Sequence, residues 1–347
     1  MSGPAAPTLA MTLLSLAIGA LGAAAAWRLG APAWVLTGPA LAVTLAALAG
    51  LRLGVVPLMR DACLLVLGLG IGAGVDAEAG AAVLRWPLAF AVLSLTVFAT
   101  LHACRLALER GFRFDRRSAV LAAAPGHLSF VLSMAADMDC DVARVAVVQS
   151  IRLLALTLAV PFVALAMGYD MAGVAMGGGA PMAAGPLALL TLAALAAGAV
   201  FRRLGLPAPL LLGAMAVSAG GHVSGLSPGA VPQAIMIPAF LVLGTLIGTR
   251  FAGMPQAQFF GSLAAGLAVT VIAVAMAGAA AVPVARALGM PAPHVLTAFA
   301  PGGLETMVAL GATMGASPGF VAACHVARLL VLSLLIPLSL GRSGARS

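Results

Sequence analysis

The chain has 347 residues, 63% of them hydrophobic and 8% charged, with a mean hydropathy of +1.14. This excludes a soluble domain and reads as an all-α polytopic membrane protein. The net charge of +8 excludes little: every basic residue is arginine, and nearly all stand in short gaps between apolar runs, where membrane topology accounts for them.

In chain order, apolar segments are predicted near 9–27, 32–50, 62–75, 86–104, 118–136 and 142–167. The first lacks a basic leader region and reads as a membrane helix rather than a cleaved signal. Residues 168–185 are rich in Gly and Met and read as a flexible linker. Further segments follow near 186–201, 207–225, 233–249, 259–285, 293–315 and 318–340.

A duplication organises these segments. Residues 124–131 read Ala-Pro-Gly-His-Leu-Ser-Phe-Val, and residues 300–307 read Ala-Pro-Gly-Gly-Leu-Glu-Thr-Met. The spacing of 176 also pairs Arg152 with Arg328 and Pro161 with Pro337. Within one residue of it, Pro32 pairs with Pro207, Gly38 with Gly213, Gly68 with Gly244 and Gly72 with Gly248. The organisation expected is a first membrane repeat at 1–167, a linker at 168–185 and a second repeat at 186–347.

Arginine positions suggest how the repeats thread. If the Pro-Gly segment of each repeat enters and leaves on one side, only Arg28, Arg85 and Arg286 of the loop arginines fall outside. Each repeat then crosses about five times, so the two run in opposite directions. The expectation is about ten spanning helices plus two broken or re-entrant segments, the inverted-repeat plan of secondary transporters.

Within the motif, Pro301 removes a backbone donor, and Gly302 and Gly303 weaken the helix further. Such a break is tolerable in a membrane only inside protein or beside water. A half-helix beginning after it would aim its amides at an anionic group, although a packing kink would look the same. Glu305 follows the second break and is expected to carry a proton or hold an ion. The alternatives are an interfacial carboxylate or a cap on the half-helix. Its counterpart is Ser129, so the two copies differ chemically.

Arg152 and Arg328 follow Gln149 and His325 by three residues, on one helix face. A buried arginine needs a partner: a substrate anion, Glu305, or carbonyls at the break. Pro125, Gly126, Gln149, Arg152, Pro301, Gly302, Gly303, His325 and Arg328 are therefore the candidate substrate-binding residues. Asp141 and Ser317 read as N-caps of the helices carrying the arginines. Asp137, Asp139 and Asp141 read as a solvated turn rather than a cation site.

The Gly-x-x-x-Gly pairs Gly68–Gly72 and Gly244–Gly248 should let helices approach closely, within or between subunits, which leaves a homo-oligomer open. Cys63, Cys104, Cys140 and Cys324 are widely spaced and read as small apolar residues, neither disulfides nor a zinc site. His102, His222 and His294 are scattered. No metal and no cofactor are expected.

The duplicated pattern, Ala-Pro-Gly-Gly-Leu followed by a fresh helix with (Gln/His)-x-x-Arg and a closing Pro, resembles the AbrB family of bacterial membrane proteins along essentially the whole chain. His127 and His325 depart from residues that the family favours, Gly and Gln. The resemblance implies a multi-pass protein of the inner (cytoplasmic) membrane, its termini expected in the cytoplasm. Family labels include ammonia monooxygenase and transcriptional regulator. Scattered histidines give oxygen chemistry no ligand set, so an enzyme is not expected. No soluble DNA-binding helix is present either, so direct nucleic-acid binding is not expected.

The function expected is a secondary transporter, exporter or exchanger, of a small organic solute, with anions among the candidates. The alternative is a membrane-bound regulator that senses a ligand or partner and affects expression indirectly. Its contact surface would be the arginine-rich stretch 105–117. The expected partners are the lipid bilayer and the small-molecule solute.

Overall fold

The computed structural model describes residues 6–74, 86–124, 131–132, 134–135, 138, 140–169, 171, 180–227 and 229–340. Thirteen helices lie among them: α1 (Leu9–Arg28), α2 (Trp34–Leu48), α3 (Pro57–Gly72), α4 (Trp86–Phe112), α5 (Arg116–Ala123), α6 (Val142–Ala166), α7 (Ala184–Arg203), α8 (Pro209–Val223), α9 (Gln233–Thr249), α10 (Gln256–Leu288), α11 (Ala292–Phe299), α12 (Leu304–Thr313) and α13 (Pro318–Leu340). Six of them, α1, α4, α6, α7, α10 and α13, are long and apolar enough to cross a membrane, and α2, α8, α9 and α12 are shorter apolar helices. The protein is an all-α polytopic membrane protein.

Two predicted boundaries move. The helix α3 begins at Pro57, where proline suits the first turn, and accommodates the Arg60–Asp61 ion pair of 2.9 Å on its surface. The helix α4 runs on to Phe112, through the stretch expected to be a loop. Arg105 and Glu109, one turn apart and bonded at 3.0 Å, support that extension. Residues 113–115 then turn the chain, with Arg113 left-handed at φ 55°. Arg144 closes the turn by donating to the Phe112 carbonyl at 2.9 Å and lying 3.9 Å over the Phe114 ring.

The backbone repeats as the sequence does. Ala33 and Ala208, each following a proline by one, are both left-handed N-caps, at φ 49° and 42°. The eight-residue helices α5 and α11 match residue for residue at the spacing of 176.

By contacts the chain divides into two compact units, each drawing on both sequence halves. The first comprises residues 1–84, 157–254 and 304–322. There α1 and α2 form a hairpin so close that a side chain at Gly38 would strike the Gly22 backbone; Gly213 and Gly198 do the same for α8 and α7. The loop after α2 is held by bonds from Gly54 N to Ser15 Oγ and from Val56 N to Thr12 Oγ1, both 3.0 Å.

The Gly-x-x-x-Gly helices pack inside this unit, across the duplication. Gly68 and Gly72 of α3 lie on the Leu211 and Met215 carbonyls of α8, while Gly244 and Gly248 of α9 lie on Leu36 and Thr44 of α2. Residue numbers rise together in both contacts, so α3 runs parallel to α8 and α9 parallel to α2. Between α3 and α9 they run oppositely: the Cys63 thiol donates to the Ala239 carbonyl, and Gly70 meets Met236. Corresponding helices of the two halves are thus antiparallel, and the repeats are inverted. The linker has anchored ends. The Met171 carbonyl accepts from Ala33 N at 2.8 Å, and Met182 N donates to the Ala230 carbonyl at 2.9 Å.

The second unit comprises residues 85–156, 255–303 and 323–347. Its α4 and α10 are counterparts and also antiparallel: Cys104 reaches the Val269 carbonyl, while Leu93 and Ala277 share one recess. It contains both short helices, α5 and α11, and both arginine-bearing helix stretches.

Candidate functional site

The site is built on two helix ends. A residue before proline is pushed out of the helical region, so α5 ends at Ala123 and α11 at Phe299, and the capping residues Ala124 and Ala300 leave the helical region, with ψ 116° and 134°. Their amides close the last turns, Ala124 N to Val120 O at 3.0 Å and Ala300 N to Leu296 O at 2.7 Å. Each terminus leaves carbonyls without helical partners, at the negative end of the helix dipole.

Arginine supplies those partners. Arg328 Nη1 donates to the Ala300 carbonyl and Nη2 to the Ala298 carbonyl, both at 2.9 Å. In the first half the same task is shared. Gln149 Nε2 donates to the carbonyls of Leu121 and Ala124 at 2.8 and 2.7 Å, Arg152 Nη1 reaches Ala124 at 3.4 Å, and Arg152 Nη2 donates to Gln149 Oε1 at 2.6 Å. Both arginines are 2% exposed. The ion pairs among the described residues are Arg60–Asp61 and Arg105–Glu109, so neither buried guanidinium has a carboxylate there. Of the alternatives open from sequence, it is the carbonyl contact that forms. Arg152 Nε has no hydrogen-bond partner among the described residues.

Beside Arg328 lies a narrow recess, lined by Leu93, Thr96, Val97 and Thr100 of α4, Ala273 and Ala277 of α10, Phe299, Pro301 and Arg328. The space it encloses holds about one water. The walls are apolar apart from the guanidinium and two hydroxyls. Thr96 Oγ1 is spent on the Val92 carbonyl at 2.7 Å. Thr100, 5% exposed, makes no hydrogen bond among the described residues. At the matching positions α10 carries Ile272 and Met276, so the hydroxyls come from one repeat only.

Of the residues expected in the site, Arg328 and Pro301 line this recess, and Gly302 and Gly303 follow, half-buried. Gln149 and Arg152 hold the other helix end. His325 is buried one turn before Arg328. Pro125 and Gly126 lie outside the described residues, as do His127, Ser129, Asp137 and Asp139. Glu305 sits in the first turn of α12, in the first unit, half-buried. It is within electrostatic reach of the Cys63 thiol and the Arg250 guanidinium, with no ion pair or hydrogen bond among the described residues. The cap on half-helix amides is therefore not formed. Asp141 and Ser317 do cap, accepting from Arg144 N at 2.9 Å and Phe320 N at 3.4 Å.

Sequence reading missed Thr96, Thr100 and the wall of α10. The spacing of four between the two threonines, which places both on one helix face, was the available signal. No cluster of three His, Cys, Asp or Glu side chains suited to a metal occurs among the described residues.

The family model described as "Transition state regulatory protein AbrB" matches residues 34–342. A relative from Bacillus subtilis (strain 168), named "Uncharacterized protein YhjN", is 27% identical over 247 residues. That alignment covers 66% of this chain and 64% of the relative, so the chain spans about two thirds of the curated protein it matches.

Proposed function

The chain belongs to the AbrB family, and from that premise we propose that it is a secondary transporter, exporter or exchanger, of a small organic anion. It acts as a carrier, not an enzyme, in the bacterial inner membrane with its termini in the cytoplasm. The observation that carries this reading is the pair of buried arginines on the ends of two matched, interrupted helices. Interrupted helices inside inverted repeats are where secondary transporters build their solute sites, a fold-level analogy. Arg328 retains donors beyond the two it gives to carbonyls, since a guanidinium carries five N–H groups. Those donors, beside a recess with apolar walls, favour an anion.

Glu305 is assigned the coupling role: it takes up a proton or helps to hold a cation as transport proceeds. What supports this is a half-buried carboxylate without an ion-pair partner among the described residues. The test is solute flux in vesicles across a pH series. Wild type should depend on pH and Glu305→Gln should not. Equal pH dependence in both would end the coupling role.

A second reading draws on the family's printed description, which speaks of a regulatory protein. The same recess would then bind without translocating, and expression would respond indirectly through a partner. Scrambling residues 105–117 at constant charge should alter expression under this reading alone.

A further inference from the structure

One face of the second unit gathers four helix ends. There α4 stops at Phe112, α5 and α6 begin at Arg116 and Val142, and α13 ends at Leu340. Bonds tie these ends together: Arg144 donates to the Phe112 carbonyl at 2.9 Å, Asp141 N to Ser118 Oγ at 3.3 Å, and Arg116 Nη2 to the Ser339 carbonyl at 3.4 Å.

The charges on this face do not balance. Its described carboxylates are spent inside the protein: Glu109 on Arg105, Asp115 on the start of α5 and Asp141 on the start of α6. The side chains of Arg110, Arg113, Arg116 and Arg117 are exposed, and none has a carboxylate among the described residues. Membrane topology asks only that arginines stand somewhere on one side. Three of these positions are less favourable than that rule requires. Arg116 and Arg117 occupy the first turn of α5, where the positive end of the helix dipole disfavours a cation. Arg113 is left-handed at φ 55°, a conformation in which glycine would be unstrained. An anion held among these side chains offsets both costs.

Apolar surface adjoins the arginines. Leu330, Leu334 and Leu338 of α13 are 64%, 68% and 76% exposed and recur every four residues, so they form one stripe along the helix. The stripe ends beside Ser339, whose carbonyl Arg116 touches. A ligand that fits both features carries negative charge at one end and hydrocarbon at the other.

We propose that this face binds an anionic phospholipid, its phosphate held by Arg113, Arg116 and Arg117 and an acyl chain laid along Leu338, Leu334 and Leu330. Guanidinium groups take phosphate oxygens in pairs, and basic side chains at the edge of a membrane bundle hold lipid headgroups. A soluble phosphate would leave the leucine stripe unused. A zwitterionic lipid would bring its ammonium group to the same arginines. The assignment goes beyond the transporter reading and does not depend on it.

The experiment uses the purified full-length protein in dodecyl maltoside. It is titrated with dioleoylphosphatidylglycerol and, separately, with dioleoylphosphatidylcholine, glycerol 3-phosphate and polyglutamate. Native mass spectrometry counts bound ligand, and thermal unfolding reads stability. Arg113→Gln/Arg117→Gln, which breaks no side-chain bond among the described residues, is compared with Arg202→Gln/Arg203→Gln. The second pair removes the same charge from exposed arginines at the end of α7.

Phosphatidylglycerol should stay bound and raise the melting temperature saturably, and the other three should not. Arg113→Gln/Arg117→Gln should keep the lipid-free melting temperature and bind phosphatidylglycerol about thirtyfold more weakly. Arg202→Gln/Arg203→Gln should bind it as wild type does. Equal losses in the two variants would reduce the effect to general charge and overturn the site. So would equal binding of phosphatidylcholine or glycerol 3-phosphate, or no bound phosphatidylglycerol. A preference for polyglutamate would overturn it in favour of an acidic protein partner.

Discussion

Arg328 donates to the carbonyl of Ala300 at 2.9 Å, the residue whose conformation Pro301 forces out of the helix. The proline that creates the break and the arginine that satisfies it thus act on one peptide group. In the first half Arg152 reaches Ala124 in the same way, but at 3.4 Å and with Gln149 interposed.

That difference makes the halves unequal under mutation. Arg328→Ala leaves two buried carbonyls without donors and should destabilise by about 3 kcal/mol. Arg152→Ala leaves Gln149 still bonded to Ala124 and should cost less, about 1 to 2 kcal/mol. Thermal unfolding of the two variants side by side measures the order, and an Arg152→Ala loss as large as that of Arg328→Ala would refute the sharing.

Gln149→Ala strips the Leu121 and Ala124 carbonyls of their shorter bonds and also removes the partner of Arg152 Nη2. It should therefore be the more damaging change in the first half, by about 2 kcal/mol. Gln149→His, which copies the second half, should recover part of that loss in the same unfolding assay.

The hairpins of the first unit predict a steric result. A side chain at Gly38 meets the Gly22 backbone, which cannot move as a flexible side chain could. Gly38→Val should cost about 3 kcal/mol or block folding. Gly261→Ala, in α10 with open space around it, should be neutral or slightly stabilising. Yield of folded protein and melting temperature separate the two.

Asp115 caps α5 by accepting from Ser118 N at 2.9 Å. Burial alone would raise its pKa, but hydrogen bonds from the Ser118 side chain and amide and from the Arg117 amide outweigh it, so the carboxyl sits below its ordinary 3.8. A carboxyl depressed in the folded state contributes stability that is full above its unfolded pKa and is lost as pH falls through the folded value. Asp115→Ala should cost about 1 kcal/mol at neutral pH. The gap from wild type should close on acidification below about pH 4, and a gap constant with pH would contradict the cap's charge.

Much of the architecture was legible because it rests on local rules. Prolines at 125 and 301 placed the breaks, Asp141 and Ser317 placed helix starts, and arginine asymmetry anticipated the antiparallel repeats that Gly68, Gly72, Gly244 and Gly248 display in their packing. The end of α4 was misread because charge usually closes an apolar span, whereas the Arg105–Glu109 pair carries the helix onward. The recess was out of reach for a different reason. Helices apolar all round carry no periodic signal for which face meets protein and which meets lipid. Nothing in Leu93, Val97 or Ala277 taken alone joins α4 to α10, and Thr100 gained meaning only once Arg328 stood beside the same recess.

The most direct test of the central claim is uptake of a panel of labelled small organic anions into proteoliposomes carrying wild-type protein or Arg328→Gln, each first shown to be folded by its melting transition. Saturable uptake by wild type, abolished in Arg328→Gln, is the expected result. No uptake above that of protein-free vesicles, or equal uptake by both proteins, would contradict a solute path through the arginine-capped helix ends.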